Sequence, residues 1–312
     1  MTAQPTTKPR HVAVLMGGPS VEREVSLVSG ACCAGALTKL GHRVSKIDVT
    51  RDIAAALAAL DPRPDVVFNA LHGRYGEDGC IQGMLEFLGI PYTHSGVLAS
   101  ALAMDKPTAR RLFTKAGLTC AEGQTANRDD VIQGRVMDPP FVVKPLNEGS
   151  SLGVHIITES DAVPPLASDW PYGEEVLVER YIPGREIQVA VMGEEALGAI
   201  EIRPKGLFYD YEAKYTGGHS EHLMPAPLSG VDYATALEVG HKAHSTLGCR
   251  GVTRTDLRFD DTGDAPGHFY VLEVNTQPGM TPLSLVPEIA AHAGIDFGDL
   301  VAWLVEDASC PR

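Results

Sequence analysis

The chain has 312 residues, 44% of them hydrophobic and 21% charged, which is enough to bury a sizeable core in two or three domains. Its net charge of −14 and the lack of any Lys/Arg run argue against a nucleic-acid partner or an anionic membrane surface, while leaving room for a local basic pocket. The six cysteines, at 32, 33, 80, 120, 249 and 310, include no Cys-x-x-Cys pair, so free thiols in a reducing cytoplasm are expected. Met1–Arg10 lacks the apolar run of a signal peptide and no segment approaches transmembrane length, so a soluble cytoplasmic protein is expected.

Residues 11–16 read as a buried strand and Gly17-Gly18-Pro19-Ser20 as a turn. A helix follows, with Glu22 and Glu24 in its first turn and Val25, Val28, Cys32, Ala36 and Leu40 at helical spacing, ending at Gly41. Strand, glycine turn and helix open a doubly wound α/β domain. Such helix starts often bind anions, but acids occupy this first turn and Gly-x-Gly-x-x-Gly is missing, so a dinucleotide site is not indicated. Glu22 fits two roles equally well: holding a substrate ammonium, or complementing the helix dipole. Asp65–Leu71 read as a strand ending in the polar glycine loop His72–Gly79. Residues 80–88 read as a helix, 90–94 as a short strand and 97–104 as a helix. This alternation implies a mostly parallel sheet with its sites at the strand C-termini. His72 stands at one such end, although a single His is more often structural.

Asp105-Lys106-Pro107 starts a helix running to Gly117, and the first domain boundary is placed there. Phe141–Pro145 and Val154–Ile157 read as strands flanking the loop Leu146–Gly153. A glycine-serine loop of this kind can fold over phosphates with backbone N–H donors, and Lys144 adds a point charge. It is not a Walker loop, and a plain hairpin is the alternative. Glu175–Ile182, Glu186–Val191 and Ala196–Ile202 read as further strands. Tyr209–Gly218 is polar, tyrosine-rich and without a period, in the manner of a lid. His219 and His222, and His241 and His244, are each three apart with no third ligand spaced to them, so solvated histidines rather than a zinc site are expected.

Residues 232–247 read as a helix, and Gly251–Phe259 as a strand with Arg254 and Asp256 on one face. A polar hairpin, Asp260–Gly267, leads into Val271–Asn275, where alternation puts Glu273 and Asn275 on one face and Val274 on the other, just before the Pro278-Gly279 turn. Two hard oxygen ligands suit magnesium, which shares its shell with phosphates; taken alone, the pair also fits a polar strand face in solvent. Pairing the two strands brings Asp256 beside Glu273 and Asn275, with Arg254 adjacent. Clustered carboxylates repel, and a cation relieves the repulsion. The last helix carries Phe297, Leu300, Val301, Leu304 and Val305 on one face.

Taken together, Gly17–Ser26, Leu71-His72-Gly73, Met104-Asp105-Lys106, Lys144-Pro145 with Glu148–Ser151, Tyr209–Tyr215, Arg254-Thr255-Asp256 and Glu273–Thr281 resemble the D-alanine–D-alanine ligase family of ATP-grasp enzymes. Each motif is weak; their order and spacing are specific. The resemblance implies an α/β fold: a Rossmann-like substrate domain (residues 1–104), then a two-domain, α+β ATP-grasp fold with a central domain (105–187) and a C-terminal domain (188–312). It implies ATP-dependent joining of two D-alanines through an acylphosphate, for peptidoglycan synthesis, in a cytoplasmic homodimer. It further implies two magnesium ions, replaceable by manganese, on Asp256, Glu273 and Asn275.

By the same resemblance, Lys106, Lys144, Ser151 and Lys214 meet the phosphates, while Glu179, Arg180, Tyr181, Ile182 and Glu186 form the adenosine slot with Glu186 on the ribose. Glu22 holds the first ammonium, Glu22, Ser150 and Tyr215 tie two loops to the first domain, and His72 lies near the substrates. Ser284 with Lys214 binds the second carboxylate, and Arg254 with the Gly279 backbone N–H forms an oxyanion hole. Two rivals are a depsipeptide-forming relative that uses D-lactate, against which Lys214-Tyr215 speaks, and a non-catalytic nucleotide sensor, against which the complete ligand set speaks.

Overall fold

The computed structural model describes residues 8–149, 152–158, 170–204, 220–263 and 266–312. Ser150, Ser151, Lys214, Tyr215, the whole Tyr209–Gly218 segment and His219 lie outside the described residues.

β1 (His11–Gly17) is the centre of a parallel sheet, leading into α1 (Arg23–Lys39) and flanked by β2 (Arg43–Val49) and β3 (Val66–Asn69). α2 (Ile53–Ala58) and α3 (Cys80–Leu88) complete this layer. Alternate β1 residues enter different cores: Val12 and Val14 pack with Cys33 and Leu37 of α1, Ala13 and Leu15 with Ala56 of α2 and Leu85 of α3. Burial on both faces is why β1 reads as a continuous apolar run.

The face of α1 differs from expectation. Val28 and Leu40 are exposed and Cys32 and Ala36 half-buried; the buried stripe is Val25, Ser26, Ser29, Gly30, Cys33, Ala34 and Leu37. Small residues let the helix lie close to the sheet, and the hydroxyls find partners: Ser26 Oγ donates to the Ala70 carbonyl (2.7 Å). The short strand expected at 90–94 is only a bridge, in which Tyr92 pairs with Val67 and Ser309.

α4 (Val97–Met104) and α5 (Lys106–Lys115) follow, with Asp105 capping α5 by accepting from Thr108 N (2.9 Å). β4 (Gly123–Asn127), α6 (Arg128–Ile132), β5 (Phe141–Lys144), β6 (His155–Ile157) and β7 (Glu175–Arg180) then build an antiparallel sheet of order β4-β7-β5-β6. After the Tyr181–Gly184 turn the chain enters a second antiparallel sheet, order β10-β9-β8-β11-β12. Its strands are β8 (Arg185–Met192), β9 (Glu195–Pro204), β10 (Ser220–Leu223), β11 (Val252–Asp260) and β12 (His268–Asn275), with α7 (Gly230–Thr246) between β10 and β11. A boundary at 187/188 therefore falls inside β8, and the change of sheet occurs at the turn before it. α8 (Leu285–His292) and α9 (Phe297–Asp307) end the described fold. Leu300, Val301, Leu304 and Val305 of α9 join Val12, Val14 and Phe68 in one buried cluster, closing the chain onto its first sheet.

β2, β4 and β10 carry no signal strong enough to be picked out above. All three are edge strands, where polar residues are tolerated on one side. His244 is buried rather than solvated. Its Nδ1 lies 2.8 Å from Thr253 Oγ1, and burial pushes its pKa down to about 4. His222 pairs with Glu288 (2.7 Å) and His241 lies 3.8 Å from Glu194. All six cysteines are free.

Candidate active site

The hairpin β11–β12 supplies the centre. Its register pairs Asp256 with Glu273 and Arg254 with Asn275, the juxtaposition expected from alternation. A bulge then breaks the ladder, so that Leu272 and Glu273, neighbours in sequence, both line one cavity. Arg254 binds both oxygens of Asp256, Nε to Oδ1 at 2.7 Å and a terminal nitrogen to Oδ2 at 2.9 Å. Lys106, from the start of α5, donates to the Glu148 carbonyl (2.5 Å) and stands 3.3 Å from Glu273 Oε2. The two carboxylates at the centre are thus each matched to a cation.

Two chambers meet at this centre, sharing a wall of Lys106, Glu148 and Glu273. The first lies between the two antiparallel sheets. Val142, Val154, Ile156, Ile182 and Leu272 give it apolar sides, and Lys144, Glu179, Arg180, Tyr181, Glu186 and Asp256 line it with them. Seven residues expected to meet ATP (Lys106, Lys144, Glu179, Arg180, Tyr181, Ile182 and Glu186) are therefore brought together. Glu179 is buried and forms ion pairs with both Lys144 and Arg110. Burial pushes the Lys144 ammonium down to about 7, with Lys106 adding to the fall and Glu273 opposing it.

The second chamber lies on the far side of Lys106. Glu22, Glu77, Gly149, Arg254, Asn275, Gly279 and Ser284 line it. Glu22 reaches it because Gly73, at φ 67°, leaves room that a side chain would fill: a Cβ there would stand 2.5 Å from Glu22 Oε2. Glu77 is buried beside Glu22. Burial, reinforced by Glu22 and Glu273, holds its carboxyl well above the usual range. Ser284 stands just before α8 without a side-chain cap bond to it; its Oγ instead accepts from Thr281 N (2.9 Å).

His72 does not line this chamber. It sits behind it, 3.1 Å from Ser29 Oγ, and burial lowers its pKa to about 4, so the ring is neutral at physiological pH. The residues alone gave no site role to Glu77, Arg110 or Arg258, and Glu148 entered only as part of a motif. Two had a usable signal: Arg258 continues the two-residue period of Arg254 and Asp256, and Glu77 lies in the glycine loop already singled out. Arg258 donates to the Ile182 carbonyl (3.1 Å) and lies over the Tyr181 ring, tying the sheet-changing turn to β11.

Comparison with known proteins gives this geometry a family. The profile described as "D-ala D-ala ligase C-terminus" matches residues 112–306, and that described as "D-ala D-ala ligase N-terminus" matches residues 54–95. The chain belongs to the D-alanine–D-alanine ligase family. It is 57% identical to the D-alanine–D-alanine ligase of Parvibaculum lavamentivorans over 97% of this chain and 99% of that one. It is 59% identical to the ligase of Methylocella silvestris, with the same coverage. Among solved structures, the D-alanine–D-alanine ligase of Bacillus anthracis complexed with ATP superposes with a TM-score of 0.80 at 30% identity, covering 96% of this chain and 97% of that one. The fold of this family member is thus the ATP-grasp fold behind a Rossmann-like first domain. Among the described residues no helix is long and apolar enough to cross a membrane.

Proposed function

We propose that this chain joins two D-alanine molecules into D-alanyl-D-alanine, using ATP and releasing ADP and phosphate. The carrying observation is the pair of chambers that meet at Lys106, Glu148 and Glu273. One has apolar walls and buried cations; the other is lined by the buried acids Glu22 and Glu77 together with Arg254.

ATP enters the first chamber, its base among the apolar side chains, its ribose at Glu186 and its phosphates toward Lys144 and Lys106. Phosphoryl transfer needs positioning and charge neutralisation above all. The first D-alanine places its ammonium beside Glu22, where a cation offsets the repulsion between Glu22 and Glu77. Its carboxylate then faces the shared wall and attacks the γ-phosphate, giving an acylphosphate and ADP. The second D-alanine is held by its carboxylate at Ser284. Its amine displaces phosphate through a tetrahedral intermediate whose oxygen meets Arg254 and the Gly279 N–H. Lys214, Ser150, Ser151 and Tyr215 complete this reading as phosphate, lid and substrate partners.

The donor set of Asp256, Glu273 and Asn275 fits magnesium, which binds through one or two carboxylates and completes its shell with substrate phosphates and water. Among the described residues no group of three His, Cys, Asp or Glu side chains is placed to hold a metal ion. Asp256, Glu273 and Asn275 would hold the two magnesium or manganese ions, which would supply charge neutralisation for phosphoryl transfer. A cytoplasmic homodimer with joints near residue 104 and near the Tyr181–Gly184 turn completes the proposal.

The test is phosphate release by the purified chain across D- and L-amino acids and D-lactate, with products identified by mass. D-alanine-dependent release yielding D-alanyl-D-alanine is expected. Mainly D-alanyl-D-lactate at neutral pH would replace the dipeptide reading. Nucleotide binding with no D-alanine-dependent release would favour a sensor. A local prediction goes with it. A Cβ on Gly279 would stand 2.7 Å from Ser284 Oγ. Gly279→Ala is therefore expected to push Ser284 aside and raise the KM for D-alanine about tenfold, with the KM for ATP unchanged. Unchanged D-alanine kinetics would remove Gly279 and Ser284 from the site.

A further inference from the structure

The turn after β12 is irregular yet buried, with Thr276, Gln277 and Met280 all nearly inaccessible. Its partners belong to the first sheet. The Gln277 amide donates to the Leu71 carbonyl, and its Oε1 accepts from Asn69 Nδ2 at 2.7 Å. Asn69 ends β3 and is itself fully used. Its other N–H goes to the Gly76 carbonyl (2.9 Å), and its Oδ1 accepts from Leu71 N (3.2 Å). Three residues on, Met280 N donates to Ser29 Oγ (3.1 Å), the same hydroxyl that meets His72. The His72 ring in turn bonds the backbone of Gln277.

Gly279 lies between these two fastenings. The groups it must work with stand on different elements: Glu22 at the start of α1, which packs on the first sheet, and Arg254 and Asn275 on the third sheet. Backbone pairing within either sheet cannot fix the span between them. Among the described residues, the side chains of Gln277 and Ser29 bridge that seam directly.

We propose that Gln277 is a positioning residue for the ligation: its amide fastens the turn carrying Gly279 to the end of β3, setting the span between Glu22 and the Gly279 N–H. Ser29 is the second fastening of the same turn. This rests on Gly279 being a donor in the site, as read above. A misplacement of about 1 Å in a reacting geometry costs on the order of a hundredfold in rate. Methionine has nearly the volume of glutamine but neither amide bond.

The experiment is steady-state kinetics and thermal melting of the full-length Gln277→Met chain, assayed well below its melting temperature. A fall in kcat of about thirtyfold or more, with the KM for ATP within twofold of wild type, is expected. A kcat within twofold of wild type overturns the proposal, and so does a loss shared equally by ATP binding, which would mark a general structural role. If Gln277→Met does not fold, Ser29→Ala decides, since it removes from α1 the one small hydroxyl that fastens the same turn. A reduced kcat at unchanged ATP KM supports the proposal, and wild-type kcat overturns it. Gly279→Ala separates the two readings. If it behaves as wild type, the reading of Gly279 fails; if it is impaired while Gln277→Met and Ser29→Ala are not, only the positioning role fails.

Discussion

Arg254→Met is expected to lower kcat by about 10²–10³, roughly 2.7–4 kcal/mol, the usual loss when one donor to a developing oxyanion is removed. It is also expected to destabilise the ligand-free chain, and the reason lies in the hairpin. Arg254 occupies both oxygens of Asp256, and both side chains are largely buried. Methionine fills the space but leaves the Asp256 carboxylate facing Glu273, its register partner, without its matched cation. Breaking a buried pair from one side costs about 3–5 kcal/mol, enough to lower Tm by roughly 5–10 °C in a chain of this size. On the proposed metal site, magnesium with ATP would bring positive charge back to the same carboxylates, so the Tm gap should narrow in their presence while kcat stays low. Kinetics within threefold of wild type would remove Arg254 from the transition state. A Tm gap that magnesium and ATP do not narrow would separate the carboxylates from metal binding.

Asp256→Asn is expected to produce the opposite balance. The amide keeps the shape and one acceptor for Arg254, so the ligand-free fold should melt close to wild type. On the proposed metal site of Asp256, Glu273 and Asn275, magnesium would lose one of two carboxylate ligands. Charge neutralisation of the transferring phosphoryl group is worth several kcal/mol, so kcat should fall at least about 100-fold. The magnesium concentration for half-maximal turnover should rise at least about tenfold. Binding of manganese, followed by its electron paramagnetic resonance with ADP present, gives a readout independent of turnover and should weaken in parallel. Full activity at high magnesium with no change in either midpoint would overturn the assignment. With the free chain, magnesium alone should bind weakly, because Arg254 and Lys106 already balance the carboxylates.

Much of this site could be read in the residues, for a physical reason. Arg254, Asp256, Glu273 and Asn275 lie on one antiparallel hairpin with a short polar connection, so alternation and pairing alone bring them together. Lys144 and the glycine-serine loop are likewise a local unit, β5 and β6 pairing directly. The bulge at Leu272 was not legible, because alternation carries no sign of where a ladder slips.

Where the partners are distant, the pattern was silent or misleading. The buried stripe of α1 includes Ser26, Ser29 and Gly30, small residues that hydropathy spacing passes over in favour of Val28 and Leu40. What decided the face was close approach to the sheet and hydroxyl partners more than forty residues away, Ala70 and His72. His72 stands in the loop past the end of β3, a neutral ring that does not line the second chamber.

The sequence by itself determined the class of fold, the order of the motifs and the grouping of Arg254, Asp256, Glu273 and Asn275 on one hairpin, since these depend on residues within one or two turns or strands of each other. Only the tertiary structure decided which carboxylates share a chamber and how Glu179 clamps Lys144 and Arg110. It alone showed that Gln277, a variable position of the motif to which the resemblance gives no role, holds the third sheet to the first through Asn69 and Leu71. Those contacts join groups that are neighbours only after three sheets have packed, and a buried amide's partners are set by that packing rather than by its place in the chain.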